Sequence, residues 1–320
     1  MFNVLIIGAV RSTAAATESL FRHQMNVVGI LGHEPLDKEM VSGWFNLKAL
    51  SAEHNVEYKG FSKINDKENI DWAISKKPDL IFAVGFSQLL SSDWLKMPTL
   101  GCIGFHPTCL PRGRGRAPMA WMILEENCGA ATFFLLEKGT DAGPIFIQNS
   151  FQINENDDAG SIETKIIVSL NKALDIWLPD LKNGIWNPIP QDESLATWYG
   201  KRKPEDGFID WNRTAEEINR LIKATTKPHP GAYTYFNNQK TIIWSSTIEN
   251  SIPIKGVVGR ILLKNENCNY LVQCGSGLIW LTNIELASGI ELRIGDRLGY
   301  GLEDEINKIW VVLNRLTKNG

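Results

Sequence analysis

The sequence predicts an α/β protein, with a doubly wound, Rossmann-like parallel sheet followed by a smaller C-terminal β-barrel domain of OB-like type. Three observations predict it. Short apolar runs alternate with helix-period patterns as far as residue 182; a proline-bearing crossover follows at 183–207; and beyond it one helical pattern leads into short β-rich runs at the rhythm of a small barrel. At 320 residues the chain also exceeds the usual size of one domain. The expected division is therefore 1–182, 183–207 and 208–320.

The runs at 2–8, 26–31, 56–61, 80–85 and 101–106 are too short and too apolar for surface helices, and read as buried parallel strands. Helical patterns at 12–23, 44–54, 70–76 and 88–96 lie between them. A helix over 117–126 precedes two further strand-like stretches, 130–136 and 145–153. Across 158–181, Ile162, Ile166, Ile167, Leu170, Ala173, Leu174 and Leu178 make one apolar stripe that closes the domain. In the crossover, Pro188, Pro190 and Pro204 interrupt regular structure, while Trp186, Trp198 and Tyr199 predict that it is ordered against the first domain, because large aromatics are unfavourable in water. A helix at 215–225 and strands at 232–236, 240–246, 256–263, 270–273 and 278–285 complete the chain.

With 43% apolar and 22% charged residues, the composition is that of a globular protein. A net charge of -3 lacks the basic bias of a chain whose main ligand is a nucleic-acid backbone. Cys102, Cys109, Cys128, Cys268 and Cys274 are scattered, odd in number and without a Cys-x-x-Cys spacing, so neither a disulfide framework nor a metal site is expected. No apolar stretch reaches the roughly 18 residues of a membrane span, and the apolar start is followed by Arg11 and a polar helix, so a cytoplasmic protein without membrane contact is expected. The oligomeric state stays open, a homodimer included. Gly8-Ala9-Val10-Arg11-Ser12-Thr13 has one glycine where a pyrophosphate turn needs three, which disfavours a nicotinamide-dependent reductase.

The chemistry concentrates at His106, which ends the apolar run Gly101-Cys102-Ile103-Gly104-Phe105 and precedes Pro107, where regular structure is expected to stop. Downstream, Lys138-Gly139-Thr140-Asp141-Ala142-Gly143-Pro144 sets a carboxylate between glycines, in a loop able to approach a ligand closely. Taken singly, such a histidine is most often a satisfied core residue and such an aspartate a turn residue. Together they can form an acid/base pair.

The stretch Phe105-His106-Pro107-Thr108-Cys109-Leu110-Pro111-Arg112-Gly113-Arg114-Gly115-Arg116-Ala117-Pro118, with Trp121 and Leu124 after it, resembles the signature loop of the folate-dependent formyltransferases, the methionyl-tRNA formyltransferase-like family. Gly139 to Gly143 resembles that family's aspartate loop. Arg202 to Trp211, Pro228-His229-Pro230-Gly231-Ala232-Tyr233, Gln239-Lys240 and Ile243-Trp244-Ser245-Ser246 are most similar to its sugar-nucleotide branch, exemplified by the enzyme that formylates UDP-4-amino-4-deoxyarabinose. The resemblance implies transfer of a formyl group from N10-formyltetrahydrofolate to the amine of a nucleotide-linked amino sugar, in cell-surface polysaccharide biosynthesis. It implies that His106 polarises or protonates the formyl oxygen while Asp141 orients it and takes the proton of the attacking amine.

One position departs from the family. An asparagine usually stands two residues before the histidine, where its amide donates to the developing oxyanion, and this chain has Gly104. Losing such a donor costs roughly 3 kcal/mol, so Gly104 is expected to make room for a water or a bulkier acceptor. The resemblance also implies a donor pocket along Phe82, Val84, Gly85, Phe86, Leu89 and Leu90, facing Thr140, Ala142, Gly143 and Ile145. The acceptor would meet Arg11, Ser12, Arg114, Arg116, Lys203, Glu205, Tyr233 and Lys240, since a diphosphate calls for cations. Two alternatives stand beside this reading: a methionyl-tRNA formyltransferase, and a formyltransferase-like binding protein impaired by the loss of the asparagine.

Overall fold

The computed structural model describes residues 2–37, 41–125 and 128–299 and, near the C-terminus, Ile306, residues 309–311, Leu313 and Asn314. It divides into two units, Met1–Arg202 and Lys203–Gly320, so the boundary falls inside the segment read as a crossover.

The first unit runs β1 (Asn3–Gly8), α1 (Arg11–Arg22), β2 (Asn26–His33), α2 (Leu47–Glu53), β3 (Tyr58–Phe61), α3 (Lys67–Ser75), β4 (Leu80–Val84), α4 (Ser92–Lys96), β5 (Gly101–Thr108), β6 (Arg114–Gly115), α5 (Pro118–Leu124), β7 (Gly129–Leu135), β8 (Ile145–Phe151), α6 (Ala159–Lys182) and β9 (Trp198–Tyr199). Seven strands form one sheet in the order β3-β2-β1-β4-β5-β7-β8. The first five are mutually parallel, but β7 pairs antiparallel with both β5 and β8, so the sheet is mixed where a parallel one was expected. The reason lies in the connections. A loop alone joins β7 to β8, so these neighbours can only run in opposite directions, while the chain reaches β7 from β5 through β6 and the short α5 and enters the sheet reversed.

Alternation along the strands sorts the core into two layers. Val4, Ile6, Leu80, Phe82, Val84 and Ile103 face α1 and α6, while Leu5, Ile7, Ile81 and Cys102 face α3 and α4. Helix α6 holds the larger share. Asp158 caps it by accepting from Ser161 N at 2.8 Å, and Ile162, Ile166, Leu170, Ala173, Leu174, Trp177, Leu178 and Leu181 are buried along one stripe. Burial of each large side chain there is worth about 1.5–3 kcal/mol.

Two expected helices are shorter. Residues 88–91 are irregular because Gln88 spends its side chain on Ile64 N and Ser62 O, leaving α4 to begin at Ser92. Trp44 bridges Val10 rather than opening a helix, so α2 begins only at Leu47. The last residue of the expected helix over 117–126 lies outside the described residues.

In the second unit, α7 (Ala215–Thr225) carries a capping box between Thr214 and Glu217, and packs Ile218 and Ile222 into a separate core with Ile243, Val272, Ile279 and Leu281. Strands β10 (Ala232–Phe236), β11 (Gln239–Glu249), β12 (Ile261–Lys264), β13 (Tyr270–Gln273) and β14 (Leu278–Glu285) make an antiparallel sheet in the order β10-β11-β14-β13-β12. Its edges β10 and β12 do not pair with each other among the described residues, so the finding is an antiparallel sheet rather than the closed barrel expected. The strand expected at 256–263 is reduced to β12, because a turn at Val257–Arg260 precedes it.

The cysteines also depart from expectation. Cys109 and Cys128 lie side by side with Cα atoms 6.5 Å apart, a proximity that their 19-residue separation does not advertise. Burial pushes the thiols of Cys102 and Cys274 up to about 12, which makes both inert. Among the described residues no helix is long and apolar enough to cross a membrane.

Candidate active site

Strand β5 delivers His106 by simple alternation. Ile103 and Phe105 pack toward α6, so Cys102, Gly104 and His106 share the opposite face. The strand does not stop at Pro107 but runs on to Thr108, because the pairing with β7 shifts register between His106 and Thr108, and a bulge tolerates the missing N–H of a proline. The imidazole is buried, and its Nε2 lies 2.8 Å from the carbonyl of Gly113. A carbonyl only accepts, so Nε2 carries a hydrogen and Nδ1 is the nitrogen left for chemistry.

Asp141 meets that nitrogen. Its Oδ2 lies 3.6 Å from His106 Nδ1 and accepts from Gly115 N at 2.8 Å. The residue sits at φ 51°, in the left-handed region that an aspartate tolerates better than most residues. Neighbouring Gly143 has no room for a side chain, since an added Cβ would lie 1.7 Å from the carbonyl oxygen of Leu135. The loop that carries Asp141 thus folds over the β5 face that presents His106. A carboxylate and an unspent imidazole nitrogen at this separation are parts for proton transfer.

Gly104 does not open a space. A Cβ placed there would lie 2.6 Å from Leu136 Cδ2 and 2.8 Å from the Phe134 ring, so these apolar side chains already fill the volume that an asparagine would claim. The expectation of room for water or a bulkier acceptor is corrected on this point.

A strand of the expected crossover locks both loops. Ile189 exchanges backbone hydrogen bonds with Ile145 at 2.8 Å, Thr197 receives Gly113 N and Arg114 N, and β9 pairs with β6. Gln191 donates to the carbonyls of Asp141 and Gly143 at 2.8 and 2.7 Å. Sequence reasoning placed aromatics here but missed Gln191, Glu193 and Thr197; a polar run directly after Pro188 and Pro190 was the available signal.

The other expected residues divide. Phe82 and Val84 are wholly buried on the α6 side, with Phe82 5.9 Å from the Trp177 ring, so neither lines a pocket. Gly85 at φ 60° approaches the Ser12 hydroxyl, Phe86 packs edge-on to Phe61 at 5.7 Å, Leu90 joins the α3–α4 core, and Leu89 is 80% exposed. Thr140 is exposed and Ala142 half-buried, while the carbonyls of Asp141, Gly143 and Ile145 are occupied by Gln191 and Ile189.

At the start of α1, Thr13 rather than Ser12 does the capping: its hydroxyl receives Ala9 N and Val10 N and donates to Val84 O. Gly8 permits this, since a Cβ there would lie 2.2 Å from Thr13. Exposed Arg11 pairs with Glu163 at 3.4 Å, whose carboxyl burial pushes up.

Arg114 is not the substrate-facing cation expected. Only 1% of its side chain is exposed, and its guanidinium is taken by Gln191 and by both carboxylate oxygens of Glu193. Arg116 is exposed. In the second unit, Lys203 and Glu205 are exposed, Tyr233 donates to Glu205 O at 3.4 Å, and Lys240 Nζ stands 4.2 Å over the Tyr233 ring. Burial, followed by the nearby Tyr235, Glu205 and Asp206, raises the Tyr233 hydroxyl above its ordinary range.

Both units resemble known proteins. Residues 43–174 match the family profile described as formyl transferase, and residues 201–299 match formyl transferase, C-terminal domain. The bifunctional polymyxin resistance protein ArnA of Wigglesworthia glossinidia brevipalpis is 35% identical over 204 residues, 63% of this chain, and the match spans only 31% of that longer protein. A methionyl-tRNA formyltransferase of Ruminiclostridium cellulolyticum is 26% identical across 92% of this chain and 95% of its own length. The fold is shared with the N-formyltransferase of Helicobacter canadensis, whose structure contains folinic acid and dTDP-3-aminofucose, at a TM-score of 0.64, 16% identity, 88% of this chain and 99% of that one. Carrying both formyl transferase domains in colinear order, the chain belongs to the formyltransferase family.

Proposed function

We propose that the protein moves a formyl group from N10-formyltetrahydrofolate to the amine of a nucleotide-linked amino sugar. The observation that carries this reading is the approach of Asp141 Oδ2 to His106 Nδ1, on the two segments that resemble the family's signature and aspartate loops. Buried and fixed through Nε2, the imidazole presents Nδ1 as a donor toward the formyl oxygen or a leaving nitrogen. Asp141 orients the ring and takes the proton of the attacking amine. With the volume at position 104 taken by Leu136 and Phe134, and the N–H groups of Gly113, Arg114, Gly115 and Arg116 spent within the fold, the oxyanion is left to His106.

The folate donor supplies the activated formyl carbon. The residues that would hold it are Gly85, Phe86, Leu89 and Leu90 with the edge of the loop at Thr140 and Ala142. Leu89, 80% exposed, supplies an apolar surface of the kind that a flat ring packs against. Within the first unit, Arg11, Ser12 and Arg116 are proposed for the acceptor; Lys203, Glu205, Tyr233 and Lys240 are proposed for a nucleotide within the second unit by itself. The Lys240–Tyr233 pair offers a cation and a ring face, the two chemistries that a nucleotide calls for.

The full-length match to a methionyl-tRNA formyltransferase supports a second reading, charged initiator tRNA as acceptor. The net charge of -3 weighs against it. Incubation with N10-formyltetrahydrofolate and a panel of UDP-, dTDP-, GDP- and CMP-linked amino sugars, followed by mass spectrometry, tests the proposal. Formylation of one sugar nucleotide is the expected result; none across the panel, with binding retained, indicates the impaired binding protein.

A further inference from the structure

Gln191 has no part in the reaction described above, yet every hydrogen-bonding group of its amide is directed at the site. Nε2 donates to the carbonyls of Asp141 and Gly143 at 2.8 and 2.7 Å, and Oε1 accepts from Arg114 Nη2 and Nε at 2.8 and 3.2 Å. The amide has a single workable orientation, because turning it over would set oxygen against two carbonyls and nitrogen against a guanidinium.

Arg114 is fixed in turn. Glu193 receives Nη1 and Nη2 at 2.9 and 2.7 Å, and the Trp198 ring lies 5.7 Å from the guanidinium carbon. The residue after Arg114 is Gly115, whose N–H holds the Asp141 carboxylate at 2.8 Å. Asp141 is therefore tied at two points to consecutive residues of the signature loop. Its carboxylate is tied directly to Gly115, and its backbone carbonyl through Gln191 to Arg114. At φ 51° the aspartate backbone is in a sparsely populated region that the surroundings must hold.

We propose that Gln191 is a positioning residue for the proton-transfer pair, setting the Asp141 carboxylate against His106 Nδ1 from a segment far from both in sequence. The inference rests on the reading of His106 and Asp141 as that pair. It assigns the linker a role in formyl transfer beyond joining two units, with the buried Arg114 as the strut through which the exposed Glu193 acts.

The test uses the full-length protein labelled with ¹⁵N-histidine, and long-range ¹H–¹⁵N spectra of the imidazole rings. His106 is assigned by its disappearance in His106→Gln, and Asp141→Asn gives the reference displacement of its Nδ1 resonance. Gln191→Glu keeps the length and the acceptor for Arg114 but loses both donors; Gln191→Met removes the polar groups at similar volume and carries the test if the charged variant does not fold. Both are expected to displace the His106 Nδ1 resonance in the direction seen in Asp141→Asn, with the resonances of His23, His33, His54 and His229 in place. An unmoved His106 in either folded Gln191 variant, while Asp141→Asn moves it, overturns the proposal and leaves the pair intact. Movement of all the histidines together assigns Gln191 to general folding and also overturns it. An unmoved His106 in Asp141→Asn removes the pair, and the proposal with it.

Discussion

At the level of single residues, the proposed chemistry depends on a nitrogen and an oxygen 3.6 Å apart. His106→Ala and Asp141→Asn should each slow formyl transfer at least about a hundredfold while the protein stays folded, because general acid–base groups contribute about 10²–10⁴ in rate. Single-turnover kinetics beside circular dichroism check this, and near-normal turnover in either variant would remove that residue from the mechanism. Gly104 makes a prediction of its own. Gly104→Asn would set a Cβ 2.6 and 2.8 Å from Leu136 and Phe134, which must give way, so it should lower stability by about 1–3 kcal/mol and lower the rate as well. Leu136→Ala in the same chain should recover much of the stability by emptying the contested volume. A single Gly104→Asn variant that is both stable and at least tenfold faster would show instead that the family donor was merely lost and can be restored.

At the scale of the element, the segment from Ile189 to Tyr199 holds the site together, and its charge makes its contribution depend on pH. Arg114 beside Glu193 holds that carboxyl below its ordinary range. A carboxyl depressed in the folded state stabilises the fold above its unfolded value of about 4.3, and the contribution disappears as pH falls through the folded value. Glu193→Gln should therefore melt below the wild type at neutral pH and together with it in strong acid. A melting difference that persists unchanged into acid would mean that the ion pair is not its source.

This element was also the least legible in sequence. Period and alternation revealed β1, β4, β5 and α6 because burial writes itself along one strand or one helix face. The motif around His106 and the glycines around Asp141 marked the pair for the same local reason. The antiparallel turn of β7, the burial of Arg114 and the grip of Gln191 depend on partners up to 79 residues away, for which no local pattern exists. Phe82 and Val84 were assigned to a pocket through the family resemblance, and their apolar character does not say which face of the sheet they serve.

At the scale of the whole molecule, two units with separate cores carry the two domains of one family. A non-hydrolysable analogue of the formyl donor should raise the melting temperature of the native protein, since a ligand at a hundred times its Kd adds about 2.7 kcal/mol. No shift at saturation would argue against a folate enzyme. The central claim is that the acceptor is a sugar nucleotide, and the most direct measurement is a competition. The protein is given labelled N10-formyltetrahydrofolate with UDP-4-amino-4-deoxyarabinose, dTDP-3-aminofucose and charged initiator methionyl-tRNA together, and the label is followed into each. Label is expected in a sugar nucleotide, abolished by Asp141→Asn, with none in the tRNA; label in the tRNA alone would overturn the sugar-nucleotide reading.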